Sequence, residues 1–435
     1  MTTDSLTPRS KKISPILWVA TVYFSMGLPY VLISDVSVLA FKDLGISDAQ
    51  IAFWTSLLVL PWSLKPLFSP IMELVGTKKR YVFATELISS VVLGVVCASL
   101  GLSDFFTITL VLLAIMALSG SIHDIAGDGT YMAELAADEQ SEYIGWQGAF
   151  YNLAKILAKG GLVYLVGLMS VDMGVLNAWR VVFALGGVIM LCMAVYHFFV
   201  LPGRLRVAQE AGRSRTMREA MREFLDIFRS FFEKKYIWYY LVFILLYRFT
   251  EGLAIKVAPL FLKADIAVGG IGLTNEKFGL FYGTIGTACF IFGSILSGYF
   301  IRYFGLKNVL FVLALIFNIP FIVFFLFAQM APVDEVWVAT GIAFEQFGYG
   351  FGFVGLSLFM MQQVAPGPHQ MAHYAIANSL MNLSVMIPGM MSGFISDAVG
   401  YKTFFLIAVL LAIPGIICAK IVPFTYDQNG AKISK

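Results

Sequence analysis

Residues 121–135, SIHDIAGDGTYMAEL, place His123, Asp124 and Asp128 directly behind FFTITLVLLAIMALSG, a run apolar enough to sit in lipid. An ionised side chain at the bilayer centre costs roughly 3 kcal/mol on insertion scales, so such residues face a cavity or a partner. Asp124 and Asp128 are four residues apart and share one helical face with Tyr131. A carboxylate in a poorly solvated site exchanges a proton closer to neutral pH than one in water, and a lysine beside it opposes that exchange. The chemistry is therefore reversible proton binding, with Asp124 and Asp128 as the coupling groups. Lys65 and Lys155 are the candidate counter-charges, Lys155 sharing a face with Asn152 and Lys159.

The second half of the chain adds Arg248 and Glu251, three apart, with Lys256 beyond. A planar guanidinium suits a carboxylate or phosphate, so Arg248 is a candidate anion holder, and an internal pair with Glu251 is the competing reading. Gln346, Asn378 and Asn382 offer uncharged donors and acceptors suited to sugar hydroxyls and amides, although helices in membranes hold one another with the same residues. The candidate substrate-binding set is Tyr30, Lys65, His123, Asn152, Lys155, Arg248, Glu251, Gln346 and Asn378. Plain salt bridges that fasten helices are the alternative role for the charged members.

These residues need a membrane scaffold. The chain has 435 residues, 59% hydrophobic and only 13% charged, about half the charge of an ordinary soluble domain. Its repeated apolar runs are long enough for spanning helices and too long for spanning strands. The first run, 16–39, exceeds the core of a signal peptide and reads as a retained helix. Twelve helices are expected, numbered 1 to 12 near 15–40, 48–74, 81–101, 105–136, 141–170, 179–201, 236–263, 275–301, 307–330, 335–364, 369–396 and 402–423. By depth, Asp124 of helix 4 and Lys155 of helix 5 are placed to pair, Lys65 of helix 2 reaches the same layer, and Asp35 of helix 1 falls near the outer mouth. The four cysteines stand alone in apolar helices, and no metal or cofactor motif is present.

With the amino terminus inside, the inner segments hold twenty Lys and Arg against five outside, which places both termini in the cytoplasm. Four regions follow: a first six-helix bundle over 1–201, a linker over 202–235, a second bundle over 236–423 and a tail over 424–435. The linker carries Met217, Met221, Phe224, Leu225 and Phe228 at helical spacing opposite Arg218, Arg222 and Arg229, an amphipathic helix suited to the membrane surface.

The halves repeat. GISDAQIAFWTSL at 45–57 matches GLTNEKFGLFYGT at 272–284, with Ser47 and Thr274 each placed to cap a helix, and GTKKRYVF at 76–83 matches GLKNVLF at 305–311. Two parallel six-helix halves with such Gly-basic turns resemble the major facilitator architecture: an all-α membrane protein of twelve transmembrane helices in two bundles related by a pseudo-twofold, with substrate bound between them. The turn residues Glu73, Lys78, Lys79 and Arg80, together with Asp35, are the expected gating set.

At helix 2 the resemblance narrows. LPWSLKPLFSPIMELVG (60–76), GLPYVLI (27–33) and HDIAGDGT (123–130) together are similar to the AmpG-type muropeptide permeases and the related acetyl-CoA transporters. Asp124 and Asp128 match that family's two helix 4 acids, Lys65 its helix 2 lysine, and Gly27 to Tyr30 its helix 1 motif. His123 stands where the family usually has Gln, and Gly127 where it often has an aliphatic residue. The resemblance implies proton-coupled import, across the inner membrane, of a GlcNAc-anhydromuramyl disaccharide or its peptide derivative. Other branches carry acyl-CoA or siderophores, and an oligosaccharide is a further alternative; Na⁺ is the alternative coupling ion. No nucleotide-binding loop of Gly-x-x-x-x-Gly-Lys type occurs, so a gradient rather than ATP is the expected drive. An embedded enzyme is the rival class, but AGDG lacks the first glycine of the intramembrane aspartyl protease motif and four histidines are too few for a metal phosphohydrolase. The expected partners are a small solute, protons and the bilayer, with no nucleic acid, and the expected state is a monomer.

Overall fold

The computed structural model describes residues 13–74, 77–135, 137–203, 217–332, 334–367 and 369–426. The chain is an all-helical membrane protein with the twelve-helix, two-bundle layout. Eight helices among the described residues are long and apolar enough to cross a membrane. One of these, Gln370–Ile421, is helices 11 and 12 merged across Gly400, whose φ of 75° breaks the helix. Three further spans fall short of that apolar content for visible reasons. Helix 2 is interrupted, helix 7 (Ile237–Lys263) carries Arg248, Glu251 and Lys256, and helix 10 (Glu335–Phe359) is diluted by Glu345, Gln346 and several glycines.

Helix 2 runs as Asp48–Leu57, Leu60–Ser63 and Lys65–Leu74. Pro61 and Pro66 supply no backbone N–H and their rings crowd the preceding turn, so the ladder breaks just before each. The Pro61 carbonyl is taken up by the Ser121 hydroxyl of helix 4 at 2.8 Å. The broken helix thereby leans on helix 4 at the level of its acids.

The internal repeat is visible in the backbone. Gly45 and Gly272 both adopt left-handed φ, 85° and 73°, a conformation that costs a residue with a Cβ. Ser47 then accepts from the Gln50 N–H and Thr274 from the Lys277 N–H, capping helix 2 and helix 8 (Asn275–Phe304) alike.

In lipid the apolar side chains gain nothing by leaving water, so helices are held by close packing and polar contacts. A Cβ on Gly283 of helix 8 would sit 2.3 Å from the Lys159 carbonyl of helix 5, and one on Gly393 of helix 11 would sit 2.6 Å from the Asp48 carbonyl of helix 2. These two helix pairs join the halves by backbone contact. The apolar packing is asymmetric along the molecule. At the end opposite the basic turns, one continuous cluster runs through both halves, from Leu28 and Trp179 to Phe261 and Phe405. Towards the basic end each half has its own, around Trp18 and Val82 in the first and Phe243 and Phe359 in the second. The halves are thus fused at the far end.

Polar contacts seal the same end. Asp43, at the end of helix 1 (Pro15–Asp43), accepts from Lys263 of helix 7, from Asn275 Nδ2 of helix 8 at 2.5 Å and from Trp179 Nε1 of helix 6 at 3.0 Å. Asp48, across the Gly45 turn, accepts from Lys42 at 2.5 Å and from the Tyr401 hydroxyl at 2.6 Å.

Candidate functional site

A cavity with about 1020 Å³ of empty volume, including its open mouth, lies between the halves and is lined from both. Helix 1 supplies Tyr30 and Asp35, helix 5 supplies Lys155 and Lys159, helix 7 supplies Arg248 and Lys256, and Gln346, Tyr349 and Asn382 complete the polar wall. Two of these elements depart from α-geometry at the site. Helix 1 has a π-turn at Leu32–Val36 and helix 5 another at Ile156–Leu162, local widenings that recur at functional positions. Asp35 and Lys159 sit on these two turns and form an ion pair of 3.0 Å.

The charges in the cavity do not balance. Lys159 is matched by Asp35, and Arg248 is gripped by Glu251 through two guanidinium nitrogens, Nε donating at 2.6 Å, while Tyr349 donates to the same carboxylate at 2.8 Å. Lys256 Nζ donates to the Ser34 carbonyl at 2.8 Å, and Lys155 Nζ stands over the Tyr151 and Phe290 rings at 5.1 and 5.5 Å. Among the described residues neither lysine has a carboxylate at ion-pair distance. Glu345, in the adjoining void with Tyr282 and Glu251, accepts from Gln346 at 2.8 Å. Even with Glu345 ionised the wall keeps an excess positive charge, the electrostatic signature of a site for an anion.

Helix 4 (Phe105–Glu134) lies behind this wall. Asp124 accepts from Lys65 Nζ at 2.5 Å and from Trp62 Nε1 at 3.1 Å, both on the broken stretch of helix 2. Asp128, one turn on and exposed, accepts from the Tyr23 hydroxyl of helix 1 at 2.7 Å.

The geometry corrects several expectations. Lys155, placed by depth to pair with Asp124, instead faces the cavity and Phe290 of the other half, and Lys65 takes the Asp124 carboxylate. Asp35 lines the cavity rather than the end opposite the basic turns, where Asp43 and Asp48 do the closing. Lys65 and His123 are not on the cavity wall. Asn152 spends its amide N–H₂ on the Gly148 carbonyl of its own helix, and Asn378 lies one turn from Asn382, which does line the cavity. Tyr30, Lys155, Arg248 and Gln346 are on the wall as expected, with Glu251 holding Arg248 from behind. Of the turn residues, Lys78 donates to the Gly129 carbonyl and Lys79 to the Leu201 carbonyl, both within the first half, and Arg80 is exposed. The side chain of Glu73 lies outside the described residues. Sequence reasoning missed Asp43, Tyr349 and, in helix 3 (Lys78–Ser99), Glu86. The last had a signal, a lone acid in an apolar run.

A two-bundle membrane fold with a polar cavity between its halves defines a solute carrier. The Major Facilitator Superfamily profile matches residues 17–371, and the chain belongs to that superfamily of transporters. It is 22% identical over 427 residues to a putative transporter AmpG 2 of Rickettsia typhi, covering 95% of this chain and 97% of that protein. It is 24% identical over 194 residues to the anhydromuropeptide permease of Escherichia coli K12, covering 43% of this chain and 37% of that one. Its fold is that of the D-xylose-proton symporter, with a TM-score of 0.72 at 14% identity over 96% of this chain and 99% of that structure.

Proposed function

We propose that the protein is a proton-coupled importer of an anionic amino-sugar solute of the muropeptide type, working by alternating access in the cytoplasmic membrane with its basic end inside. The observation that carries this is the pair of cavity lysines, Lys155 and Lys256, without carboxylate partners. A GlcNAc-anhydromuramyl disaccharide brings the lactyl carboxylate such a site requires, and its hydroxyls and acetamides suit Tyr30, Gln346, Tyr349 and Asn382. The names of the relatives support the same solute class, and the positive charge of residues 77–80 supports the orientation.

Coupling is assigned to helix 4. Asp128 takes a proton in exchange for its Tyr23 contact, and Asp124 exchanges Lys65 for a proton as helix 2 moves with the rocking halves. With the basic end inside, as proposed, the far-end seal at Asp43 and Asp48 closes the described state to the outside. The test is uptake into proteoliposomes. An imposed inward proton gradient drives accumulation of the disaccharide, and Asp128→Asn abolishes the gradient effect. If the wild type transports the disaccharide at the same rate with and without the gradient, the coupling assignment fails; if it carries only acyl-CoA or phosphorylated anions, the solute assignment fails.

A further inference from the structure

The linker helix Met217–Phe232 belongs to neither bundle and does not line the cavity. Its last turn is fastened to the second half. Phe231 is fully buried in the apolar cluster of that half, and Ile227 and Phe232 pack against the same cluster. The Ser230 hydroxyl stands 3.0 Å from His373 Nε2 of helix 11, and Lys234, just beyond the helix, donates to the Val364 carbonyl at the end of helix 10. The same helix packs against Lys65–Leu74, the stretch of helix 2 in the first half that leads to the basic turn. It is a strut laid across both halves at the basic end.

The strut buries only part of its apolar face. Met221, Leu225 and Phe228 are exposed, Leu225 by 56%. An aromatic row runs along this strip and off the helix, with ring centroids 5.9 Å apart for Phe224 and Phe228, 5.0 Å for Phe228 and Phe232, and 5.4 Å for Phe232 and Trp238. Trp238 is 67% exposed near the start of helix 7, and Val242 and Leu245 continue the same exposed apolar flank. On a spanning helix that flank faces lipid. The strip is therefore continuous with the lipid-facing surface, and the bilayer stands where a soluble partner would have to dock.

The charges on the helix are sorted about the strip. At about 100° per residue, Arg218, Arg222 and Arg229 fall within about 40° of one another in the sector next to Leu225, while Asp226, Glu219 and Glu223 fall farther round. All three arginines are exposed. Arg229 shares a 2.9 Å pair with Glu233, a contact worth little at such exposure. With Met221, Leu225 and Phe228 among acyl chains, the arginines lie at headgroup height and the acids point to water. A guanidinium matches phosphate through its planar fork. A zwitterionic headgroup brings its own cation to the phosphate, whereas an anionic one leaves that place to the protein.

We propose that the linker helix is a binding surface for anionic phospholipid, with Met221, Leu225 and Phe228 in the acyl region, Arg218 and Arg222 on the headgroup phosphate, and Arg229 adding charge at the same edge. Lipid held there seats the strut, and because the strut spans both halves, its seating bears on how far helix 2 parts from the second half at this end. That consequence rests on the carrier reading above, whereas the lipid surface does not.

The test attaches bimane to Leu225→Cys in a background carrying Cys97→Ala, Cys192→Ala, Cys289→Ala and Cys418→Ala. The full chain is placed in nanodiscs of equal parts phosphatidylcholine and phosphatidylglycerol. A nitroxide near the headgroup is carried by one lipid or by the other, so the composition never changes. The expected result is several-fold stronger quenching by labelled phosphatidylglycerol than by labelled phosphatidylcholine. Arg218→Gln with Arg222→Gln brings the two lipids level without changing thermal unfolding, and concentrated salt narrows the difference. Equal quenching by both lipids in the chain with its arginines intact overturns the anionic preference. Absence of quenching by either overturns the membrane seat and leaves the strip to a soluble partner. Because no solute is present, this failure is distinct from failure of the transport assignment.

Discussion

Lys65 and Asp124 meet at 2.5 Å because two prolines break helix 2 where it crosses helix 4. The lysine side chain is 30% exposed and the carboxylate 10%, so the pair is only partly removed from water. Breaking a fully buried pair costs about 3–5 kcal/mol, and partial exposure of Lys65 lowers the expected penalty of Asp124→Asn to about 2 kcal/mol. Lys65→Met combined with Asp124→Asn is expected to recover more than half of that loss. Thermal unfolding in detergent measures it, and a double variant no better than the worse single one contradicts the pairing.

Lys155 and Lys256 should each contribute to holding the anion. Lys155→Gln and Lys256→Gln are each expected to weaken solute binding about tenfold, or about 1.4 kcal/mol, with the double variant departing from the sum because both lysines face the same anion. Equilibrium binding read by tryptophan fluorescence checks this. Arg248→Gln differs in kind, since it strands Glu251 and lowers stability as well as affinity.

How much of this was legible beforehand follows from the physics of each signal. Helix positions were, because twenty apolar residues bounded by charges are hard to disguise, and so was the repeat, because the Gly45 and Gly272 turns need the same backbone. The cavity wall was partly legible: Tyr30, Lys155, Arg248 and Gln346 were found from residue type and depth. Rotation about each helix was not, since depth along a helix does not fix the face a side chain takes, and that decided between Lys65 and Lys155 as partner of Asp124. Glu86 was missed because its partners, His123 and His197, lie on two other helices, 37 and 111 residues away.

The fusion of the halves at the far end predicts that a wedge there shifts the conformational balance. Gly283→Leu places side-chain atoms where the Lys159 carbonyl and Gly160 already stand, so the far end is expected to open. Maleimide labelling of a cysteine introduced at Ser34 should rise several-fold in the Gly283→Leu background. Equal labelling in both backgrounds argues against rocking about this contact.

Lys234, between the linker helix Met217–Phe232 and helix 7, donates to the carbonyls of Val364, Ala365 and Pro366 at 2.6, 3.1 and 2.8 Å. These carbonyls end helix 10 and lack helical donors. Lys234→Met is expected to cost about 1–3 kcal/mol in detergent unfolding while leaving solute affinity unchanged; a loss of affinity without a loss of stability contradicts a purely capping role.

The central claim is tested most directly by proteoliposome uptake of radiolabelled GlcNAc-anhydromuramyl disaccharide under an imposed inward proton gradient, in wild type and Lys256→Gln. Gradient-dependent accumulation in the wild type, reduced about tenfold at subsaturating solute in the variant, is the predicted result. Absence of gradient-driven uptake, or equal uptake by the variant, would contradict it.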